Sequence, residues 1–185
     1  MSSPSARPNR GPAAGPGNRR ALIDAARRIY AETGLSAPFT SVARAAGVGQ
    51  GSLYRHFPDR TSLEVAIFQE TLAAFRADIA DERIGLDALF TAVAGEPVLS
   101  TVFVQMIRDS KDAEVVEIAD GYQEALSLLL TRDIARGRVR ADVDVDDVIH
   151  AASMLAGELT AVPLEDRPAA ASRVRRLIDA ALAAR

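Results

Sequence analysis

The sequence contains no cysteine and no tryptophan, and only two of its 185 residues are histidines. Without cysteine there is no disulfide, no thiolate zinc site and no thiol redox switch, a composition typical of a reducing compartment. No run approaches the ~20 apolar residues of a transmembrane helix, and the N-terminus lacks the apolar segment of a secretory signal. The sequence therefore predicts a cytoplasmic protein without a membrane partner.

The sequence also has few of the side chains that enzymes use for catalysis, which argues against an enzymatic function. The chain offers no cysteine nucleophile, only His56 and His150 as imidazoles, and no glycine-rich phosphate loop. The acidic group at Asp144, Asp146 and Asp147 is typical of a turn followed by a helix start, and it lacks a second set of metal ligands. We expect no catalytic residue, no metal site and no cofactor, with a helical enzyme as the rival interpretation.

The charged residues are unevenly distributed along the chain. Hydrophobic residues make up 48% and charged residues 25% of the sequence, which is typical of a globular protein, and the formal net charge is -3. Residues 1–60 hold nine arginines against three acidic residues, a net charge of +6 that leaves -9 for the remainder. The first third therefore suits a polyanion and the rest would repel it, which predicts two functions in one chain.

Apolar residues recur at helical spacing from residue 19 onward, and no stretch alternates as a strand does, so we predict an all-α fold. Residues 1–18 carry four prolines and three glycines and are predicted to form a disordered basic arm. After this arm we divide the chain into a basic helical unit, residues 19–62, and a largely acidic helical unit, residues 63–185.

Two short helices are predicted around a glycine turn. The first runs from Ser41 to Ala46, with Thr40 or Ser41 as N-cap, and Gly47 supplies a positive φ just after it. The second ends at Phe57, because a proline follows. Such a pair, preceded by a longer helix, is the minimal frame that holds one helix against a DNA major groove.

Helical patterns account for the rest of the chain. Asp59 is placed to cap a long helix that continues to about Glu82 and leads out of the first domain. Gly137 is placed to end a later helix. The further apolar stripes fall in residues 86–93, 98–107, 115–129, 148–159 and 174–182.

The stretch from Phe39 to Leu63 resembles the DNA-binding domain of TetR-type transcriptional regulators. It contains the Ala-Gly-Val turn at residues 46–48, the Gly-Ser-Leu-Tyr segment at 51–54, the His-Phe pair at 56–57 and an arginine at position 60, in the family's order. Gly49 departs from the pattern, since the family usually has a serine there, whose hydroxyl would contact phosphate.

The resemblance implies a role for each matching position. Gln50, Gly51 and Ser52 would enter the major groove, where Gln50 could read adenine. The residues that would bind phosphates are Tyr54, His56, Arg44 and Arg60. Taken singly, such residues could also be plain core or solvated charges. The predicted DNA-binding set is Thr40, Arg44, Gln50, Gly51, Ser52, Tyr54, Arg55, His56 and Arg60.

The resemblance also implies that residues 19–62 form a three-helix DNA-binding domain with a helix-turn-helix, and that residues 63–185 form a helical ligand-binding and dimerisation domain. It further implies a repressor that a small-molecule effector releases from a palindromic operator. The predicted pocket residues, each of which could instead be ordinary core, are Val102, Phe103, Met106, Tyr122, Leu126, Leu129, His150 and Met154. A homodimer is expected through the last two helices, whose small residues permit close approach: Ala151, Ala152, Ala156, Gly157, Ala180, Ala181 and Ala184. A DNA-binding regulator without a ligand remains the alternative.

Overall fold

A computed structural model describes residues 15–184, so residues 1–14 of the predicted arm lie outside the described part. Within it the chain forms nine α-helices and no strand, which confirms the all-α prediction; its one β-type pairing is a bridge between Val139 and Ala183. None of these helices is long and apolar enough to cross a membrane alone; α5 and α6 pass that test of length and composition only as a pair bent by 102°. The helices are α1 (Gly15–Thr33), α2 (Phe39–Ala45), α3 (Gln50–His56), α4 (Arg60–Asp78), α5 (Asp87–Gly95), α6 (Pro97–Asp109), α7 (Ala113–Ala135), α8 (Val145–Ala161) and α9 (Arg167–Leu182).

The first helix starts earlier than the sequence indicated. α1 begins at Gly15, so residues 15–18 are helical, not part of the arm. Pro16 is compatible with this position, because the first-turn N–H that proline lacks would have no helical acceptor. The helix ends at Thr33, and Gly34 follows with φ +59°.

The turn between α2 and α3 has the predicted glycine geometry. Gly47 adopts φ +69°, and the N–H of Val48 donates to the carbonyl of Ala43 at 3.0 Å. The predicted N-cap is wrong: α2 begins at Phe39, so Thr40 lies inside the first turn, and the hydroxyl of Ser41 donates to the Pro38 carbonyl at 2.6 Å. The backbone, not a side-chain cap, starts this helix.

α4 connects the two domains, crossing the boundary drawn at residue 62. Asp59 caps it as predicted, because its carboxylate accepts the N–H of Ser62 at 2.8 Å. The helix ends at Asp78, four residues before the predicted Glu82. The Arg132 guanidinium, from α7, donates to the carbonyl of Ile79 at 2.7 Å and so satisfies a group that would otherwise continue the helix.

The core extends across the domain boundary. One apolar cluster joins α1, α2, α3 and α4 and also includes Leu99 of α6. A second, with Phe68 of α4, Val102 of α6 and Val115 of α7, lies beside it, and a third joins α5, α7, α8 and α9. The DNA-binding frame therefore rests on α6 as well as on α4.

Candidate nucleic-acid interface and internal cavity

α3 presents one face to solvent and buries the other. Its N-cap is Gly49, whose carbonyl accepts the N–H groups of Ser52 and Leu53 at 2.9 and 3.2 Å. Leu53 is fully buried in the apolar cluster that α3 shares with α1 and α2. The exposed residues of the helix are Gln50, Gly51, Tyr54 and Arg55. This face has the width and polarity expected of a helix that enters a major groove.

Ser52 differs from its neighbours on α3. Its hydroxyl oxygen is buried and has no hydrogen-bond partner among the described residues. The sequence interpretation placed Ser52 in the groove together with Gln50 and Gly51. In the structure residue 52 is half-buried and its hydroxyl oxygen does not face solvent.

Arg60 is held by the protein itself, which corrects its assignment as a phosphate contact. Its guanidinium donates to the carbonyl of Leu35 at 2.9 Å and to that of Ala37 at 2.6 Å, and it lies 5.7 Å from the ring centroid of Tyr30. These contacts tie the start of α4 to the loop that leads into α2. Sequence spacing alone does not show in which direction an arginine extends.

The other predicted DNA contacts lie on α2 and α3. Arg44 is exposed on α2, and Tyr54 is 48% exposed with its ring edge-on to Phe39 at 5.7 Å. Thr40 and His56 are half-buried. Tyr54 is thus held by an aromatic neighbour while its surface faces solvent, a geometry that suits a phosphate contact.

Arg19 is a candidate that the sequence interpretation did not single out. Its exposed guanidinium lies 5.3 Å from the ring centroid of Phe57, the residue that ends α3. The cluster of arginines in the first third was visible in the sequence. Only the packing of α1 against α3 brings this one beside the exposed helix.

A buried acidic residue, Glu64, lies in the second turn of α4. Glu64 of α4 is 4% exposed, and one of its carboxylate oxygens has no hydrogen-bond partner among the described residues. Burial raises the pKa of Glu64 to about 7, against the opposing effect of the Arg60 charge. Burial likewise raises the pKa of Tyr30 to about 12. Both groups therefore favour their neutral forms here.

A cavity of about 350 Å³ lies in the second domain, bounded by α4, α5, α6, α7 and α8. Its size is that of a small-molecule site. The apolar wall residues are Phe68, Leu89, Ala92, Val93, Leu99, Phe103, Val104, Ile107, Ala119, Leu126, Ile149, Ala152 and Ala156. The polar residues are Thr71, Glu96, Ser100, Tyr122, Gln123 and Ser153, so Glu96 is the charged side chain in this wall.

Three of the predicted pocket residues, Phe103, Tyr122 and Leu126, line this cavity. The other five do not, which corrects their assignment. The side chains of Val102, Met106 and Leu129 are buried in the apolar clusters beside it. His150 and Met154 lie on the outer side of α8, where the ring of His150 contacts the backbone carbonyl of Asp146 at 2.7 Å and the side chain of Met154 is 62% exposed.

The small residues of the last two helices divide between two surroundings. Ala151 and Ala156 are buried within the chain, and Ala152 lines the cavity, so these three do not form an outer face. The exposed ones are Gly157, Ala180, Ala181 and Ala184. Close to them in sequence, Met154 and Leu177 expose large apolar side chains on α8 and α9.

Comparison with known proteins agrees with this architecture. Residues 22–67 match the family model of bacterial regulatory proteins of the tetR family. The chain is 27% identical over 139 residues to the fatty acid metabolism regulator protein of Bacillus subtilis, an alignment covering 67% of this chain and 72% of that protein. It is 28% identical over 146 residues to the HTH-type transcriptional repressor KstR2 of Rhodococcus jostii, covering 70% and 72%.

A solved structure shares the fold over most of its length. The transcriptional regulator FadR from Bacillus subtilis, in complex with stearoyl-CoA, matches with a TM-score of 0.57 and 22% identity, covering 86% of this chain and 96% of that one. The matched family region spans the helix-turn-helix from α1 into α4, and the likeness in fold extends through the helices that enclose the cavity. Residues 22–67 therefore form a DNA-binding domain of the tetR family, and the chain as a whole is similar to TetR-type transcriptional regulators.

Proposed function

We propose that this regulator represses transcription as a homodimer on a palindromic operator and is released when a small molecule occupies the cavity. The observation that carries the proposal is the position of α4. Its first turn follows directly on α3, and Phe68 and Thr71 further along it form part of the cavity wall. One rigid element therefore contacts both sites.

The regulatory step follows from that arrangement. A ligand that fits the cavity better with α4 tilted outward stabilises the tilted state in proportion to its difference in affinity for the two states. In a dimer, the tilt changes the distance between the two α3 helices. An operator with fixed half-site spacing then binds less tightly.

The homodimer is supported by apolar side chains that the single chain leaves exposed. Met154 on α8 and Leu177 on α9 are 62% and 68% exposed. Such side chains on adjacent helices are typical of an association surface. A twofold axis through this surface would present two copies of α3 to DNA and so would require a palindromic site.

The relatives support both parts of the proposal. KstR2 is a transcriptional repressor, and the FadR structure holds stearoyl-CoA. The cavity here is mostly apolar, so it suits the hydrocarbon part of such a ligand. Its volume of about 350 Å³ leaves the nucleotide part of a CoA thioester outside.

Footprinting on the DNA upstream of the protein's own reading frame, with and without stearoyl-CoA, tests the proposal. We expect a protected palindrome and a loss of protection when the thioester is added. The test variant Ala152→Phe fills the cavity and should remove the response to stearoyl-CoA, whereas the control Ala135→Phe, at an exposed position of α7, should keep the wild-type response.

The outcome separates the two candidate functions. If stearoyl-CoA raises the melting temperature but leaves operator affinity unchanged, the chain binds DNA without being released by this ligand. If no DNA is protected by a folded dimer, the operator assignment itself fails.

A further inference from the structure

The cavity wall includes polar groups from α4 and α7, and α1 reaches one of them through a hydrogen bond. Thr71 of α4 and Tyr122 of α7 both line the cavity. Behind Thr71 lies Arg27 of α1, whose guanidinium Nη2 donates to the Thr71 hydroxyl oxygen at 2.8 Å and to the Ile67 carbonyl at 2.9 Å. A cation of the DNA-binding domain is thus one hydrogen bond away from the cavity wall.

Tyr122 adds a hydroxyl to the same cavity wall, and its ring is held by the ring of Phe103, at a centroid distance of 4.5 Å. Burial raises the pKa of Tyr122 above its usual range, while the charge of Arg27 acts in the opposite direction. The phenol therefore stays neutral and keeps its O–H at physiological pH.

The side chains of Arg27, Thr71 and Tyr122 offer more hydrogen-bond donors than acceptors. Thr71 already donates its hydroxyl hydrogen to the Ile67 carbonyl at 2.9 Å. Arg27 carries only donors, and Tyr122 has a donor to give. The chemistry that satisfies them is an oxygen acceptor on an apolar molecule. Glu96, the carboxylate in the wall, favours a neutral acceptor over a second anion.

We propose that Arg27, Thr71 and Tyr122 form a subsite for a carbonyl oxygen of the effector. This carbonyl accepts hydrogen bonds that Arg27 otherwise donates to Thr71 and Ile67, bonds that hold α1 to α4. This inference rests on the proposed release by a cavity ligand and assigns its chemistry. Esters, thioesters and amides with a hydrocarbon chain belong to the class.

The contacts between α1 and α4 explain how the loss of the Arg27 hydrogen bonds would affect DNA binding. Arg27 is 26% exposed and is the half-buried link between α1 and α4. Other polar links are the ion pairs of Glu70 with Arg20, at 3.2 Å and with the arginine 65% exposed, and with Arg27 itself, at 4.0 Å. The guanidinium of Arg60 also lies over the ring of Tyr30. Exposed pairs contribute little, so α1 would depend on its apolar packing once Arg27 turns to the ligand.

Calorimetry on the full chain with three ten-carbon probes tests the subsite: methyl decanoate, decanoate and decylammonium. Methyl decanoate should bind most tightly, and Tyr122→Phe should weaken it about three- to tenfold, the effect of one hydrogen bond. The same substitution should leave decylammonium unchanged, and the control Tyr54→Phe, on the surface of α3, should change neither. Equal binding of the ester and the ammonium probe, or an unchanged Tyr122→Phe, overturns the assignment.

Operator binding with and without methyl decanoate tests the coupling. In wild type the ester should lower operator affinity. In Arg27→Gln, and in the isosteric Thr71→Val should the first variant not fold, affinity should already be lower and should respond to the ester by less than about twofold. The control is Arg28→Gln, at an exposed position of α1, which should keep the full wild-type response of operator affinity to the ester.

The two inferences fail in different ways. If wild type is released by the ester and the Arg27 and Thr71 variants respond fully, release stands and the coupling through Arg27 is wrong. If Tyr122-dependent binding occurs without any release from wild type, the carbonyl subsite stands, while the coupling and the proposed release are both wrong.

Discussion

The guanidinium of Arg60 donates a hydrogen bond of 2.6 Å to the carbonyl oxygen of Ala37. Together with the bond to Leu35, this contact fixes the segment before α2 to the first turn of α4. We expect Arg60→Ala to lower the free energy of unfolding by about 1–3 kcal/mol, because two partly buried carbonyls lose a charged donor. Urea denaturation of the full chain measures the loss.

Arg44 provides the comparison. It is exposed on α2, so Arg44→Ala should leave stability within about 0.5 kcal/mol of wild type and should reduce the salt dependence of operator binding. Arg173→Ala, which removes an exposed charge from α9, should affect neither property. An Arg60→Ala protein that unfolds like wild type but binds DNA weakly would restore the phosphate-contact interpretation.

Substitutions of Gln50 and Ser52 should affect operator binding differently, although the two residues are only two positions apart. Gln50→Ala should cost about 1–3 kcal/mol of operator affinity and relax base preference at one position in each half-site. Ser52→Ala removes a buried hydroxyl that has no partner, so it should keep operator affinity and leave stability unchanged or slightly higher. Competition binding with single-base operator variants distinguishes the two. A change of base preference in Ser52→Ala would mean that its hydroxyl turns outward on DNA.

Glu64 predicts a pH dependence of stability. Its pKa is about 7 in the folded chain and 4.5 ordinarily, so between these values the folded state binds more protons than the unfolded state. The free energy of unfolding should therefore fall as pH rises from about 4.5 to 7 and stay reduced above that. Glu64→Gln, neutral throughout, should match wild type at the acid end and exceed it at pH 8 by up to about 3 kcal/mol.

The control for this prediction is Glu32→Gln, at an exposed position of α1, which should keep the wild-type pH profile. Denaturation at pH 5, 6, 7 and 8 gives the comparison. Parallel curves for wild type and Glu64→Gln would show that Glu64 keeps an ordinary pKa.

Local chemistry made part of this structure predictable. Gly47 has its positive φ, Asp59 caps α4 and Leu53 is buried, because each depends on neighbours within a few residues. Arg60 was misassigned, because its partners lie 23 and 25 residues earlier, in a loop whose position depends on tertiary packing.

The residues that line the cavity were also only partly predictable from the sequence. The family resemblance indicates a pocket among the middle helices, and apolar periodicity indicates the buried faces on which Phe103 and Leu126 lie. Periodicity does not distinguish a side chain that fills the core from one that borders a void, so Leu129 was included with them. The contact of Arg27 with Thr71 joins residues 44 positions apart and has no signature in the sequence.

Asp133 and Gly85 predict a coupled effect on stability. The buried carboxylate of Asp133 accepts the N–H of Leu86 at 2.8 Å, and a Cβ at position 85 would overlap that carboxylate. Asp133→Ala and Gly85→Ala should each cost about 1–3 kcal/mol, the first by leaving the Leu86 N–H unsatisfied and the second by overpacking. Because both disrupt one contact, the double variant should lose clearly less than the sum. Additive losses in urea denaturation would show that the two sites act independently.

Met154 and Leu177 predict the oligomeric state. Both side chains are more than 60% exposed on neighbouring helices, whereas the small residues Ala151 and Ala156 are used inside the chain. Burying two large apolar side chains stabilises association by roughly 1.5–3 kcal/mol each, and a charge in their place would be desolvated without a partner. We therefore expect Met154→Asp and Leu177→Asp to shift sedimentation from dimer to monomer at micromolar concentration and to weaken operator binding through the loss of the second α3. Val116→Asp, at a 48% exposed apolar position on α7, should remain dimeric. Dimers that persist in both α8 and α9 variants would place the interface on another face of the molecule.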